Sequence, residues 1–160
     1  MISMLAVALT ISNLVASMPQ TDRPGSVHGY ARARVDGFRL LCRGALLIPR
    51  TAAVDEQIKQ YFGTLDNGAR SVSDEELHGR RSGADKQVSG AREKRCGDFA
   101  GYRFKNVSPG PYYLVVTLAS IPRFGAVDDQ VSARRGRALD LMRKVEVQPN
   151  MTVRVDIEKD

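Results

Sequence analysis

The sequence predicts an all-β sandwich with one short helix and one long loop. Three observations carry this. Short apolar segments alternate with polar residues at a period of two, turn pairs such as Asp36-Gly37 and Pro109-Gly110 separate them, and a single segment, 51–63, shifts to a helical period. At 160 residues the chain holds one domain, and a hydrophobic fraction of 42% excludes wholesale disorder.

Residues 1–17, MISMLAVALTISNLVAS, contain no charged side chain. The apolar run from Met4 to Ala16 ends in Val15-Ala16-Ser17, a small-residue pattern that a signal peptidase cuts. The expected organisation is a signal peptide over 1–17, a linker over 18–26 and a sandwich domain over 27–160, in a periplasmic or secreted product. No Lys or Arg precedes the run, and Thr10, Ser12 and Asn13 dilute it. A buried N-terminal segment or a membrane anchor therefore stays open, although the run is short and polar for a span.

VHGYARARV (27–35) places Val27, Gly29, Ala31, Ala33 and Val35 on one side and His28, Tyr30, Arg32 and Arg34 on the other, a half-buried strand. Asp36-Gly37 suits a two-residue hairpin turn because both positions tolerate positive φ. FRLLC (38–42) then returns with Val35 facing Phe38, Ala33 facing Leu40 and Ala31 facing Cys42, which aligns the apolar sides. The opposite face gathers Arg32, Arg34, Arg39 and Arg43. Arg34 across from Arg39 repels unless an anion lies between them. A solvated face with splayed side chains is the alternative.

GALLIPRT (44–51) reads as a short buried strand ended by Pro49. In 51–63, Val54, Ile58 and Phe62 share one helical stripe, Thr51 caps the start and Gly63 the end; the stripe is expected to pack into the core. Residues 64–96 are polar with mixed charge and are expected to form one long mobile loop, in which Ser73 and Glu76 can make a capping box. Asp98 and Gly101 open a turn, and Tyr102 and Phe104 share one side of a short strand. Pro109-Gly110 makes the next turn. YYLVVTL (112–118) is the strongest strand: Tyr112, Leu114, Val116 and Leu118 form one face, and Tyr113 and Val115 make the other apolar too, so both sides need cover. Residues 121–136 read as irregular, and two last strands are expected to pair around Gln148-Pro149-Asn150.

Cys42 and Cys96 are the only cysteines. An even count in an exported chain points to one disulfide; two buried free thiols are the alternative. A net charge of +6 and a pI near 9.6 favour partners bearing phosphate or carboxylate.

Asp98, Gly101, Tyr102, Phe104, Val107, Pro109, Gly110 and Tyr112, in that order, resemble the signature of the carboxypeptidase regulatory-like, or prealbumin-like, β-sandwich superfamily. Residues 30–63 also resemble a group of small exported bacterial proteins of this class. The resemblance implies that these turn and aromatic residues are structural: they build a hairpin and return the chain to the core. It implies no catalytic residue.

The residues themselves offer no catalytic constellation. His28 and His78 are the only histidines, and no HExxH, CxxC, GxSxG or phosphate-cradling loop occurs. A Cys-His nucleophile would need a free thiolate at Cys42 or Cys96. Asp128-Asp129 falls short of the six oxygens of a calcium site. No cofactor, metal or enzymatic activity is expected. Nucleic acid is not an expected partner, because stacking needs exposed aromatics and the basic hairpin face offers only Tyr30. The expected function is binding of a protein or an anionic component of the cell envelope through Arg32, Arg34, Arg39 and Arg43, with membrane contact peripheral at most. The alternative is an accessory subunit of a surface or secretion assembly, docked through the Tyr113 and Val115 face.

Overall fold

The computed structural model of the chain describes residues 23–73, 75–77, 90–97, 99–120 and 138–159. The segment 1–17, His78, Asp98 and the Asp128-Asp129 pair lie outside the described residues.

Alternation delivers the first hairpin. Strand β1 (Gly25–Val35) buries Val27, Ala31 and Ala33 and exposes Arg32 and Arg34. Asp36 and Gly37 take φ of 47° and 79°, as the two-residue turn requires. Strand β2 (Phe38–Pro49) then pairs Val35 with Phe38, Arg34 with Arg39 and Ala33 with Leu40, the register read from the sequence. The segments 38–42 and 44–49 form one strand. A β-bulge leaves Arg43 between Cys42 and Gly44 without a cross-strand partner, so the alternation slips without ending the strand.

Helix α1 (Ala52–Phe62) starts where expected: the Thr51 hydroxyl accepts from the Val54 amide at 3.2 Å. It ends at Gly63, in the left-handed region at φ 73°, whose amide donates to the Lys59 carbonyl. The segment 64–96, expected as one loop, contributes strands β3 (Ala69–Val72) and β4 (Arg92–Arg95). Both are edge strands with almost no buried side chain, so they lack the apolar alternation by which a strand is recognised. The Ser73 hydroxyl accepts from the Glu76 amide, the first half of the anticipated capping box.

Strands β5 (Gly101–Val107), β6 (Gly110–Ser120), β7 (Ala138–Val147), β8 (Thr152–Arg154) and β9 (Ile157–Lys159) complete the described elements. β1 belongs to two layers. Its first half pairs with β5 on one side and, in parallel, with β8 on the other. Its second half pairs with β2 and, in parallel, with β9. The larger layer continues from β2 through β6 and β7 to β3, while β4 lies beside the later part of β2, where β1 has left. Between the layers lies the main core, with Phe104, Leu47, Leu114, Leu118, Leu141 and Ile157 among its fully buried members. This is an all-β sandwich with a helix on its outer face.

Two pairings differ from expectation. β5 and β6 do not form a hairpin: β5 joins β1 and β6 joins β2 and β7, so Ser108-Pro109-Gly110 carries the chain between layers. Gly110 takes φ 140°, and the Tyr112 hydroxyl donates to the Ser108 carbonyl at 3.0 Å, pinning the corner. Nor do the last two segments pair with each other. β7 ends on buried Val147, and the chain turns at Asn150 (φ 58°) to lay β8 and β9 along the free edges of β1. In the turn before β5 the positive φ falls on Ala100 (58°), and Gly101 begins the strand.

Candidate functional site

The structure brings two of the four anticipated arginines into direct apposition. Arg34 and Arg39 are cross-strand partners, both exposed, and among the described residues neither has a carboxylate partner. Arg32 is on the same side of β1 but is neutralised. Its guanidinium lies 2.7 Å from Glu158, contributed by β9, and 5.5 Å from the centre of the Tyr30 ring. The Tyr30 hydroxyl donates to the same carboxylate at 2.6 Å. That hydrogen bond, then Arg32, holds Glu158 below the usual carboxylate range. Arg43 sits apart at the bulge, exposed, its carbonyl accepting from the Cys96 amide. The basic face thus contracts from four residues to the Arg34–Arg39 pair with Arg43 beyond it.

Cys42 and Cys96 are disulfide-bonded, with Cα atoms 5.7 Å apart, which closes the thiolate route. Among the described residues no group of three His, Cys, Asp or Glu side chains could hold a metal ion, and no helix is long and apolar enough to cross a membrane.

The second apolar face of β6 is covered by this chain's own helix. Val54 and Ile58 of α1 pack on Tyr113 and Met142, with Val115 beside them. The Tyr113 hydroxyl donates to Asp55 at 2.7 Å, and Arg50 grips the same carboxylate at 3.1 and 3.3 Å while lying over the Tyr113 ring. Arg50, then Tyr113, holds Asp55 below the usual carboxylate range, and burial pushes the Tyr113 phenol up. Tyr113 and Val115 are therefore not a docking face. Further along the same side, Asp140 is the buried charged residue of the described chain and accepts from the Tyr61 and Thr117 hydroxyls, each at 2.7 Å.

Sequence reasoning passed over one further feature. Where β1 leaves the larger layer and β4 replaces it beside β2, a cleft of about 540 Å³ is lined by His28, Lys94, Arg95, Gly101, Tyr102 and Arg103, with Gly29. Its residues come from β1, β4 and β5, so no local motif announces it. The run Glu93-Lys94-Arg95 reads as one more stretch of mixed charge.

No family model and no curated protein matches the chain. Among the solved structures similar to it are the following two. One is a candidate carbohydrate-binding protein of Pseudomonas aeruginosa, at 15% identity and a TM-score of 0.49, covering 89% of this chain and 92% of that one. The other is the minor pilin GBS52 of Streptococcus agalactiae, at 15% identity and a TM-score of 0.37. It covers 88% of this chain, which spans about 46% of the pilin.

Proposed function

We infer that the chain is an exported, non-enzymatic binding module of the cell envelope that recognises an anionic partner through its first hairpin. The observation that carries this is the Arg34–Arg39 pair. Two like charges directly opposite on adjacent strands destabilise a hairpin, and this chain retains them exposed and, among the described residues, without a carboxylate, although it supplies Glu158 to Arg32 two residues away. An anion bridging the two guanidinium groups would turn that repulsion into a binding determinant. The Cys42–Cys96 disulfide supports residence in an oxidising compartment. The same reading assigns the sandwich to the carboxypeptidase regulatory-like superfamily, on the buried Tyr102, Phe104 and Tyr112 and the turn at Gly110. An accessory role in a surface or secretion assembly would need a face other than Tyr113 and Val115.

The test is an Arg34→Ser/Arg39→Ser variant. We expect its urea midpoint to equal or slightly exceed that of the parent, because repulsion is relieved. We also expect it to elute from immobilised heparin at clearly lower salt and to lose binding to vesicles containing anionic lipid. Unchanged retention on both supports would refute the assignment.

A further inference from the structure

We propose that the cleft between β1, β4 and β5 is a second binding site, distinct from the hairpin face, for an oxyanion carried on a small molecule. The fork in the sheet creates it. Where β1 pairs with β5 instead of β2, β4 fills the vacated edge of β2, with Gly44 opposite Arg95 and Ala45 opposite Lys94. The amide of Ala31 donates to the Ala100 carbonyl at 3.1 Å, and that of Gly97 to the Gly101 carbonyl at 2.9 Å, so the turn between β4 and β5 is tied across the fork. The concavity is thus framed by strands on three sides, and its charged residues are held on regular backbone.

The chemistry of the lining is one-sided. The described lining includes Lys94 and Arg95 of β4 and Arg103 of β5, the last being the cross-strand partner of His28. Among the described residues no carboxylate lines the cleft, and none of these three cations has an acidic partner. Some cations elsewhere are neutralised, Arg32, Arg50, Arg70, Lys144 and Arg154 each having a carboxylate within 3.1 Å, whereas, among the described residues, Arg34 and Arg39 of the hairpin are not. Arg154 makes the sharpest comparison, because it flanks His28 on the other strand neighbour and is paired with Asp156 at 2.7 Å. Of the two arginines beside His28, the one away from the cleft is compensated and the one lining it is not.

His28 lines the cleft as well, and its Nδ1 is buried with no hydrogen-bond partner among the described residues. The Tyr102 hydroxyl is committed to the Val155 carbonyl. The volume is within the range of small-molecule sites and well above that of a lone ion, which suits a phosphate or carboxylate attached to a body of sugar size.

The probes are inorganic phosphate, glycerol 3-phosphate, and phosphatidylcholine vesicles with and without phosphatidylglycerol, each titrated into the oxidised full chain. Saturable phosphate binding is expected, weakened at least tenfold in Lys94→Gln/Arg103→Gln and within twofold of the parent in Arg34→Ser/Arg39→Ser. Lys94→Gln alone, at an exposed position, is expected to lose severalfold and guards against misfolding of the double variant. The source is read from the other two probes. Tighter binding of glycerol 3-phosphate than of phosphate, with vesicle binding untouched by the cleft variant, identifies a soluble ligand. Vesicle binding lost in the cleft variant identifies a lipid headgroup. Absence of saturable phosphate binding, or equal losses in the cleft and hairpin variants, would overturn the proposal. The second result would leave only a diffuse basic field.

Discussion

A Cβ at Gly29 would fall on the Val155 carbonyl and lie 2.8 Å from the Tyr102 hydroxyl. Backbone meets backbone there, because the link between β8 and β9 crosses β1 at this residue, with the Val155 amide donating to the His28 carbonyl at 2.9 Å. Gly29→Ala is therefore expected to cost about 2–4 kcal/mol by forcing that link away, read as a lowered urea midpoint; an unchanged midpoint would mean that the link yields freely. Charge acts at the same scale. Asp55 and Glu158 both bind protons less readily in the folded chain than in the unfolded one, owing to Arg50 with Tyr113 and to Tyr30 with Arg32. Their stabilisation is whole above the unfolded carboxylate range, about pH 4, and drains away as pH falls through the depressed folded values. Urea midpoints of Asp55→Asn/Glu158→Gln should thus fall less steeply than those of the parent between about pH 5 and pH 2. Parallel curves would show that neither pair contributes.

Among elements, α1 settles what becomes of the doubly apolar β6. Its stripe of Val54 and Ile58 lies over Tyr113 and Met142, and Asp55 reaches the Tyr113 hydroxyl. Ile58→Ala is expected to cost about 2–4 kcal/mol and to raise the binding of a hydrophobic dye as Tyr113 and Met142 become accessible; loss of stability without dye binding would mean that the helix stays docked. This element was legible in the sequence, and so were the first hairpin and the Tyr112 strand. Each is written locally, in a period, a cap or a turn pair within a dozen residues. β3 and β4 were illegible because edge strands carry little apolar pattern. The pairing of β8 and β9 with β1 was illegible because it joins residues more than 120 apart, which no turn signal encodes. The candidate sites divide in the same way. The Arg34–Arg39 pair follows from hairpin register, whereas the cleft needs β4 and β5 brought beside β1 and becomes visible only in three dimensions.

For the whole molecule, the consequence of one strand serving two layers is cooperativity. β1 bonds to β5 and β8 in one layer and to β2 and β9 in the other, so neither layer can be lost while its half of β1 remains ordered. The Cys42–Cys96 disulfide acts at the same fork, joining the β2 bulge to the end of β4 across a sequence separation of 54. In the chain-entropy picture, closing a loop of that length stabilises by about 4 kcal/mol. Reduction should accordingly lower the unfolding free energy by about 2–5 kcal/mol while leaving one transition, with fluorescence and far-ultraviolet circular dichroism coincident. Two separated transitions would show that the layers are independent despite the shared strand. Because β4 bears Lys94 and Arg95 and the bond anchors its end, the reduced but still folded chain should also bind phosphate more weakly in the cleft. The Arg34–Arg39 hairpin, held by its own turn and register, should keep its retention on heparin. Equal loss at both sites would place the disulfide's effect on the whole sandwich instead of on the fork.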